Sequence, residues 1–224
     1  MSGSAPTAVD AVRRSVELDL DVPGNTPIPV RAELSTTLDA APADLWPLLT
    51  THEGLASWYG PVTGDLAPEG EFQTVSGAHG RILEAESPHR LLLSWEYGPM
   101  SDRLELVLDP TDDGSSRFGL THVSALAPEI LEKFGPGATA LGWDIALLGL
   151  VARTDGWRSL GIQVEPPAPA WLAGPEGAEH VRAWAIRWAA AAVAAGLDVD
   201  TARRGEIETA QAYGAPPLDH AAQG

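Results

Sequence analysis

The sequence predicts an α+β fold in which a curved antiparallel β-sheet wraps around one long helix, with two short helices after the first strand and a helical extension at the C-terminus. Three observations predict it. Between residues 65 and 123, five short runs are separated by turn residues, and three of them place apolar side chains on one parity, the mark of strands with one buried face. A helical pattern from Pro136 to Thr154 follows them. Two shorter helical patterns lie between an earlier strand and that meander. Antiparallel strands with one apolar face need a cover. A sheet curled over a single helix leaves a cavity between the two, open near the short helices.

In chain order, residues 1–14 are small and polar and are expected to be disordered. A domain over residues 15–160 begins with a strand-like arm, Ser15 to Val22, in which Val16, Leu18, Leu20 and Val22 alternate with polar residues. Val30 to Leu38 reads as the next strand. Asp39 is expected to cap a helix with Pro42 in its first turn, and Leu45, Leu48 and Leu49 share one face of it. Gly54 to Tyr59 reads as a second short helix, stopped by Gly60-Pro61. The five strands are Gly70–Val75, Gly80–Glu86, Leu91–Tyr97, Arg103–Asp109 and Arg117–Val123, broken by Ser76-Gly77, Ser87-Pro88, Gly98-Pro99 and a turn through Asp112-Asp113-Gly114. Leu91, Leu93, Trp95 and Tyr97 share one parity, as do Leu104, Leu106 and Leu108, and Phe118, Leu120 and His122.

In the long helix, Leu141, Ile145, Leu148 and Ala152 form one row and Trp143, Leu147 and Leu150 a second, so it is expected to be covered on more than one side. Gly142 and Gly149 allow close approach. Residues 161–175 are rich in proline and read as a linker. Residues 176–214 are expected to be helical, with Val181, Trp184, Trp188 and Ala192 on one stripe and Gly196 as a stop. That stripe serves to dock the extension on the domain or to form a homodimer. Residues 215–224 read as a frayed tail.

Composition narrows the functional classes. The formal net charge of −17, from 31 acidic and 14 basic residues, repels phosphate backbones and anionic lipid, so neither nucleic acid nor a membrane surface is an expected partner. The absence of cysteine removes disulfides and thiolate metal sites. No basic start leads into an apolar core at the N-terminus, and no apolar run approaches the roughly 18 residues that span a bilayer. A soluble, cytoplasmic protein is expected.

The order of elements, with Leu38-Asp-Ala-Ala-Pro-Ala-Asp-Leu-Trp46, Leu55-Ala-Ser-Trp-Tyr59, the run from Gly80 to Trp95, Leu120-Thr-His122 and Gly142-Trp143, resembles the SRPBCC superfamily of START and pollen-allergen-like helix-grip proteins. The chain looks most similar to its bacterial branch of heat-shock-protein ATPase activator homologues. The resemblance spans roughly residues 30–155. It implies a helix-grip domain with a hydrophobic pocket, or a module that acts on a protein partner.

Fold alone does not define chemistry, so each residue is weighed on its own. Trp58, Tyr59, Phe72, Trp95, Tyr97, Phe118, His122, Trp143 and Leu147 are the candidate ligand-binding residues, their rings giving apolar surface and their hydroxyl and N–H groups giving direction. Ordinary core packing is the competing reading, and in this fold the two overlap. His122 is a weak catalytic candidate, able to anchor a ligand or exchange a proton, against a structural histidine tied within the fold. Glu96 has the wrong parity for a cavity, and Glu84 and Glu86 are expected in solvent or near its opening. His52-Glu53 lacks the second histidine of a zinc-protease motif, and His79, His89 and His180 show no ligand spacing, so no metal or cofactor is expected. The expected function is binding of an apolar or aromatic small molecule in a cavity of a few hundred cubic ångströms. The alternatives are a protein-interaction module and a cyclase- or hydrolase-type enzyme using His122.

Overall fold

The computed structural model describes residues 8–216 except 99, 155, 158, 159, 163, 165 and 166. Eight strands form one antiparallel sheet in the order β1-β2-β8-β7-β6-β5-β4-β3. They are β1 (Arg13–Leu18), β2 (Ile28–Leu38), β3 (Val62–Gly64), β4 (Glu71–Thr74), β5 (His79–Glu86), β6 (Arg90–Tyr97), β7 (Met100–Pro110) and β8 (Ser116–Leu126). The order explains the architecture. From β2 the chain crosses to the far edge through α1 (Pro42–Thr50) and α2 (His52–Ala56), then returns strand by strand until β8 pairs with β2. The two short helices therefore close one end of the sheet. A bulge between Ile82 and Glu84 shifts the register of β5 on β6, and bulges bend strands.

Alternation decides which face is inside. Along β2, Val30, Ala32, Leu34, Thr36 and Leu38 are buried while their neighbours are not. On β8, Phe118, Leu120 and His122 are buried, facing Leu108, Leu106 and Leu104 of β7 across the ladder. After β8 come α3 (Pro128–Phe134), α4 (Gly137–Arg153), α5 (Pro169–Leu172), α6 (Pro175–Ala194) and α7 (Val199–Ala212). The long helix α4 covers the inner face of the sheet. Helix α6 packs on β1 and α4, and α7 on α3 and α6. No single helix among the described residues is long and apolar enough to cross a membrane.

Three buried polar ties hold these layers together. Asp144 of α4 accepts hydrogen bonds at Oδ1 from Arg14 Nε (3.0 Å) and Nη2 (2.5 Å), and at Oδ2 from Trp188 Nε1 (2.7 Å). Burial pushes the Asp144 carboxyl up from its ordinary range, while Arg14 and Trp188 pull it down. Thr36 Oγ1 donates to the Ala11 carbonyl (2.8 Å) and accepts from Trp157 Nε1 (2.7 Å). Tyr213 donates from its hydroxyl to the Ala138 carbonyl (2.8 Å). Arm, core helix and extension are thus joined through groups that have left water and kept partners.

Several boundaries differ from the sequence reading. Folded structure begins before residue 15: Val9 and Val12 are buried and Arg14 is paired, so the arm is anchored earlier than its small polar composition suggests. Residues 1–7, and 217–224 of the expected tail, lie outside the described residues, while Ala215 is buried. Strand β1 ends at Leu18, short of the expected Val22. Asp39 is not the cap of α1. Ala41 takes that position in extended conformation with no side-chain bond, and Pro42 starts the helix. The segment 161–175 contains the turn of α5, begun by Pro169, with Trp171 against His180 (centroids 5.1 Å). The Trp184/Trp188 stripe is buried within the chain, both residues at most 3% exposed.

Candidate functional site

Between the sheet and α4 lies an apolar cavity of about 80 Å³. Helix α4 contributes Trp143, Ala146, Leu147 and Leu150. Leu49, Leu55, Trp58 and Tyr59 come from the α1–α2 end, Val62 from β3 and Leu66 from the loop after it. The sheet supplies Phe72 and Thr74 of β4, Ile82 of β5, Leu91, Leu93 and Trp95 of β6, Leu104 and Leu106 of β7, and Phe118 and Leu120 of β8. No lining residue is charged, and only Tyr59 and Thr74 carry hydroxyls. The volume falls short of the few hundred cubic ångströms expected because aromatic rings fill the space. Phe72 and Trp95 have centroids 6.0 Å apart, and Trp95 meets Trp143 edge-on at 5.0 Å.

The end of the cavity at α2 is held by close backbone packing. Thr51 caps α2, its Oγ1 accepting from the Gly54 amide (3.0 Å). A Cβ on Gly54 would lie 2.0 Å from the Pro47 carbonyl oxygen, so only glycine lets α2 sit this close to α1. Trp58 donates from Nε1 to the Leu48 carbonyl (2.9 Å), and its own carbonyl oxygen would lie 2.8 Å from a Cβ placed on Gly149 of α4. Tyr59 is edge-on to Trp58 (5.5 Å). Burial raises its hydroxyl above the ordinary phenol range, with the Ser76 and Thr74 hydroxyls pulling the other way. Thr74 Oγ1 itself donates to the Ala78 carbonyl (3.0 Å) and is 2.9 Å from Ser76 Oγ.

Of the nine expected ligand-binding residues, Trp58, Tyr59, Phe72, Trp95, Phe118, Trp143 and Leu147 line this cavity together. Tyr97 does not. It has the inward parity but stands at the end of β6, 52% exposed, where the sheet no longer covers it. His122 also lies outside the lining. It is buried behind Trp143, whose Nε1 donates to His122 Nδ1 (3.2 Å), and its Nε2 is 3.0 Å from Asp102 Oδ2. An accepting Nδ1 requires the neutral ring with its proton on Nε2, directed at the carboxylate. Both nitrogens are therefore engaged within the protein, and His122 holds the Trp143 indole rather than reaching into the cavity.

Sequence reasoning missed Asp102, Arg14 and Asp144. Asp102 shares the parity of Leu104 and would have been found by starting β7 one residue earlier. An aspartate inside an apolar helix was the available signal for Asp144; Arg14 carried none. Glu84 and Glu86 pair with Arg90, which also holds Glu105 (2.6 Å), and Glu96 is 3.5 Å from His79. Among the described residues no three His, Asp or Glu side chains converge on a metal-sized site. His52, His79, His89 and His180 are scattered, the last two bonded to the carbonyls of Leu108 and Glu176 (3.0 Å each).

Residues 39–154, just over half of the chain, match the family described as Activator of Hsp90 ATPase homolog 1-like protein. The crystal structure of CalU16 from Micromonospora echinospora is 24% identical, aligns over 82% of this chain and 99% of that one, and gives a TM-score of 0.57. Its solution structure gives 24%, 83%, 97% and 0.58. An HSP90 activator from Plasmodium falciparum aligns over 41% of this chain and 71% of that one, at 20% identity and a TM-score of 0.38. None of the curated proteins matches. The likeness to CalU16 shows the helix-grip fold, and its extent takes in chain beyond residues 39–154.

Proposed function

The chain belongs to the Activator of Hsp90 ATPase homolog 1-like family, and from that premise we propose that it binds a small apolar or aromatic molecule between the sheet and α4. The observation that carries this reading is the cavity itself. It is lined by aromatic and aliphatic side chains from helices and strands far apart in sequence, without a charged group among them. Empty apolar space forfeits dispersion contacts along its walls, and a ligand of matching shape restores them.

Trp58, Trp95 and Trp143 in the wall make the test direct. Apolar and aromatic compounds are titrated into the protein while tryptophan emission and the melting temperature are followed together. A ligand at a hundred times its Kd stabilises the fold by about 2.7 kcal/mol, and Ala146→Trp, which fills the cavity from α4, abolishes the response in a protein that still folds. Saturable binding unaffected by Ala146→Trp would place the ligand elsewhere and refute the reading.

The family match favours a second reading, a protein-interaction module acting on an Hsp90-type ATPase. On that reading stimulation of the ATPase survives Ala146→Trp. The engagement of both His122 nitrogens speaks against an enzyme using that residue as acid or base on a bound molecule.

A further inference from the structure

Taking the binding reading as given, we infer that the ligand is uncharged, about the size of one aromatic ring, and carries at most a single hydroxyl-like group, which lies at the Tyr59–Thr74 end of the cavity. Charge is excluded by the lining. No lining residue is charged, and the buried Asp102 carboxylate is behind Trp143 and bonded to His122, so a charged ligand would lose its hydration with no counter-charge to receive it.

Size is set by walls that are themselves tied down. The Trp58 N–H is held by the Leu48 carbonyl and the Trp143 N–H by His122, so neither indole can swing aside without breaking a hydrogen bond. A volume of about 80 Å³ between such walls suits a compact ring and not an acyl chain.

The polar group is placed by the two hydroxyls of the lining, Tyr59 and Thr74. The Thr74 hydroxyl proton goes to the Ala78 carbonyl, and its oxygen is shared with the Ser76 and Tyr59 hydroxyls. Three clustered hydroxyls carry three protons and twice as many lone pairs, so the surplus at this end is acceptor capacity. A ligand O–H or N–H fits this pair.

The test uses compounds of matched ring size on the full chain: toluene, p-cresol, benzoate and benzylamine, with decanoate as a chain probe. Calorimetry and Trp fluorescence measure each affinity. p-Cresol is expected to bind roughly three- to tenfold more tightly than toluene, the worth of one hydrogen bond, and at least about a hundredfold more tightly than benzoate or benzylammonium. Thr74→Val or Tyr59→Phe narrows the ratio of p-cresol to toluene affinity towards one. If Thr74→Val fails to fold, Tyr59→Phe alone carries the comparison. Benzoate or decanoate binding as well as p-cresol overturns this inference and leaves the cavity reading standing. Silence from every compound, with the variants folded, overturns the cavity reading and this inference with it.

Discussion

Asp144→Ala is the perturbation that most directly tests how the arm and the extension are joined to the core. The Asp144 and Arg14 side chains are 1% and 3% exposed, and the carboxylate accepts from two Arg14 nitrogens and from the Trp188 indole. Arg14 Nη1 already donates to the Val9 and Val12 carbonyls (3.1 and 2.9 Å), so the guanidinium is fixed and cannot turn to water. Removing the carboxylate leaves a buried cation and an indole N–H without their acceptor. Breaking a buried pair from one side costs about 3–5 kcal/mol, a large part of the 5–15 kcal/mol typical of a whole domain. With a urea slope on the order of 2 kcal/mol per molar, the midpoint falls by roughly 2 M, read by tryptophan emission. The double variant Arg14→Met with Asp144→Leu strands no charge and is expected to lose far less than the two single variants summed. A loss under about 1 kcal/mol for Asp144→Ala, or strict additivity in the double variant, would refute the claim that this pair ties the layers.

Three further outcomes follow from single contacts. Gly149→Ala places a Cβ 2.8 Å from the Trp58 carbonyl; the shift this forces on α2 costs about 1–3 kcal/mol, more than the roughly 1 kcal/mol that alanine adds in helix propensity, so the melting temperature falls. His122→Phe strands Asp102 and frees the Trp143 N–H; a loss of about 2–3 kcal/mol in urea unfolding is expected, with a shift in tryptophan emission as its own signature. Tyr59 and Tyr213 have hydroxyls raised by burial above the usual 10.0. The unfolded chain therefore releases those protons first, and stability is complete below pH about 10 and declines as pH rises through the folded-state values. Phenolate absorbance should show two late-titrating groups, reduced to one in Tyr59→Phe, and stability that rises above pH 10 would contradict this.

What was legible in the sequence was the side of each element that turns inward. Period two in β6 and β8 and the Trp143/Leu147/Leu150 row of α4 were enough to bring Trp95, Phe118, Trp143 and Leu147 to one cavity, where Trp58 and Tyr59 from the α2 end and Phe72 of β4 join them. Tyr97 shows the limit of parity, which says which way a side chain points but not whether anything covers it there. Cavity size was illegible because it depends on how deeply opposing rings interdigitate, a property of packing between elements. The ordered stretch before the arm was missed for a similar reason. Residues 8–14 are too short a run to show a period, and what orders them is the burial of Val9 and Val12 together with Arg14 reaching Asp144, 130 residues away.

Helix α4 is where stability and ligand capacity meet. Trp143, Ala146, Leu147 and Leu150 lie on the stripe that faces the cavity, while Leu141, Asp144, Leu148 and Val151 follow the i, i+3, i+4, i+7 spacing of another and are also buried. On that second stripe Asp144 bonds to Trp188, and on the same side Gly137 approaches Trp188 and Thr209. The arm and the extension thus contact α4 on the side away from the cavity. A family core covering residues 39–154 ends at α4 and brings none of this backing. In this chain the helix that lines the cavity is therefore tied on its other side by residues that never touch it, Arg14 and Trp188 among them.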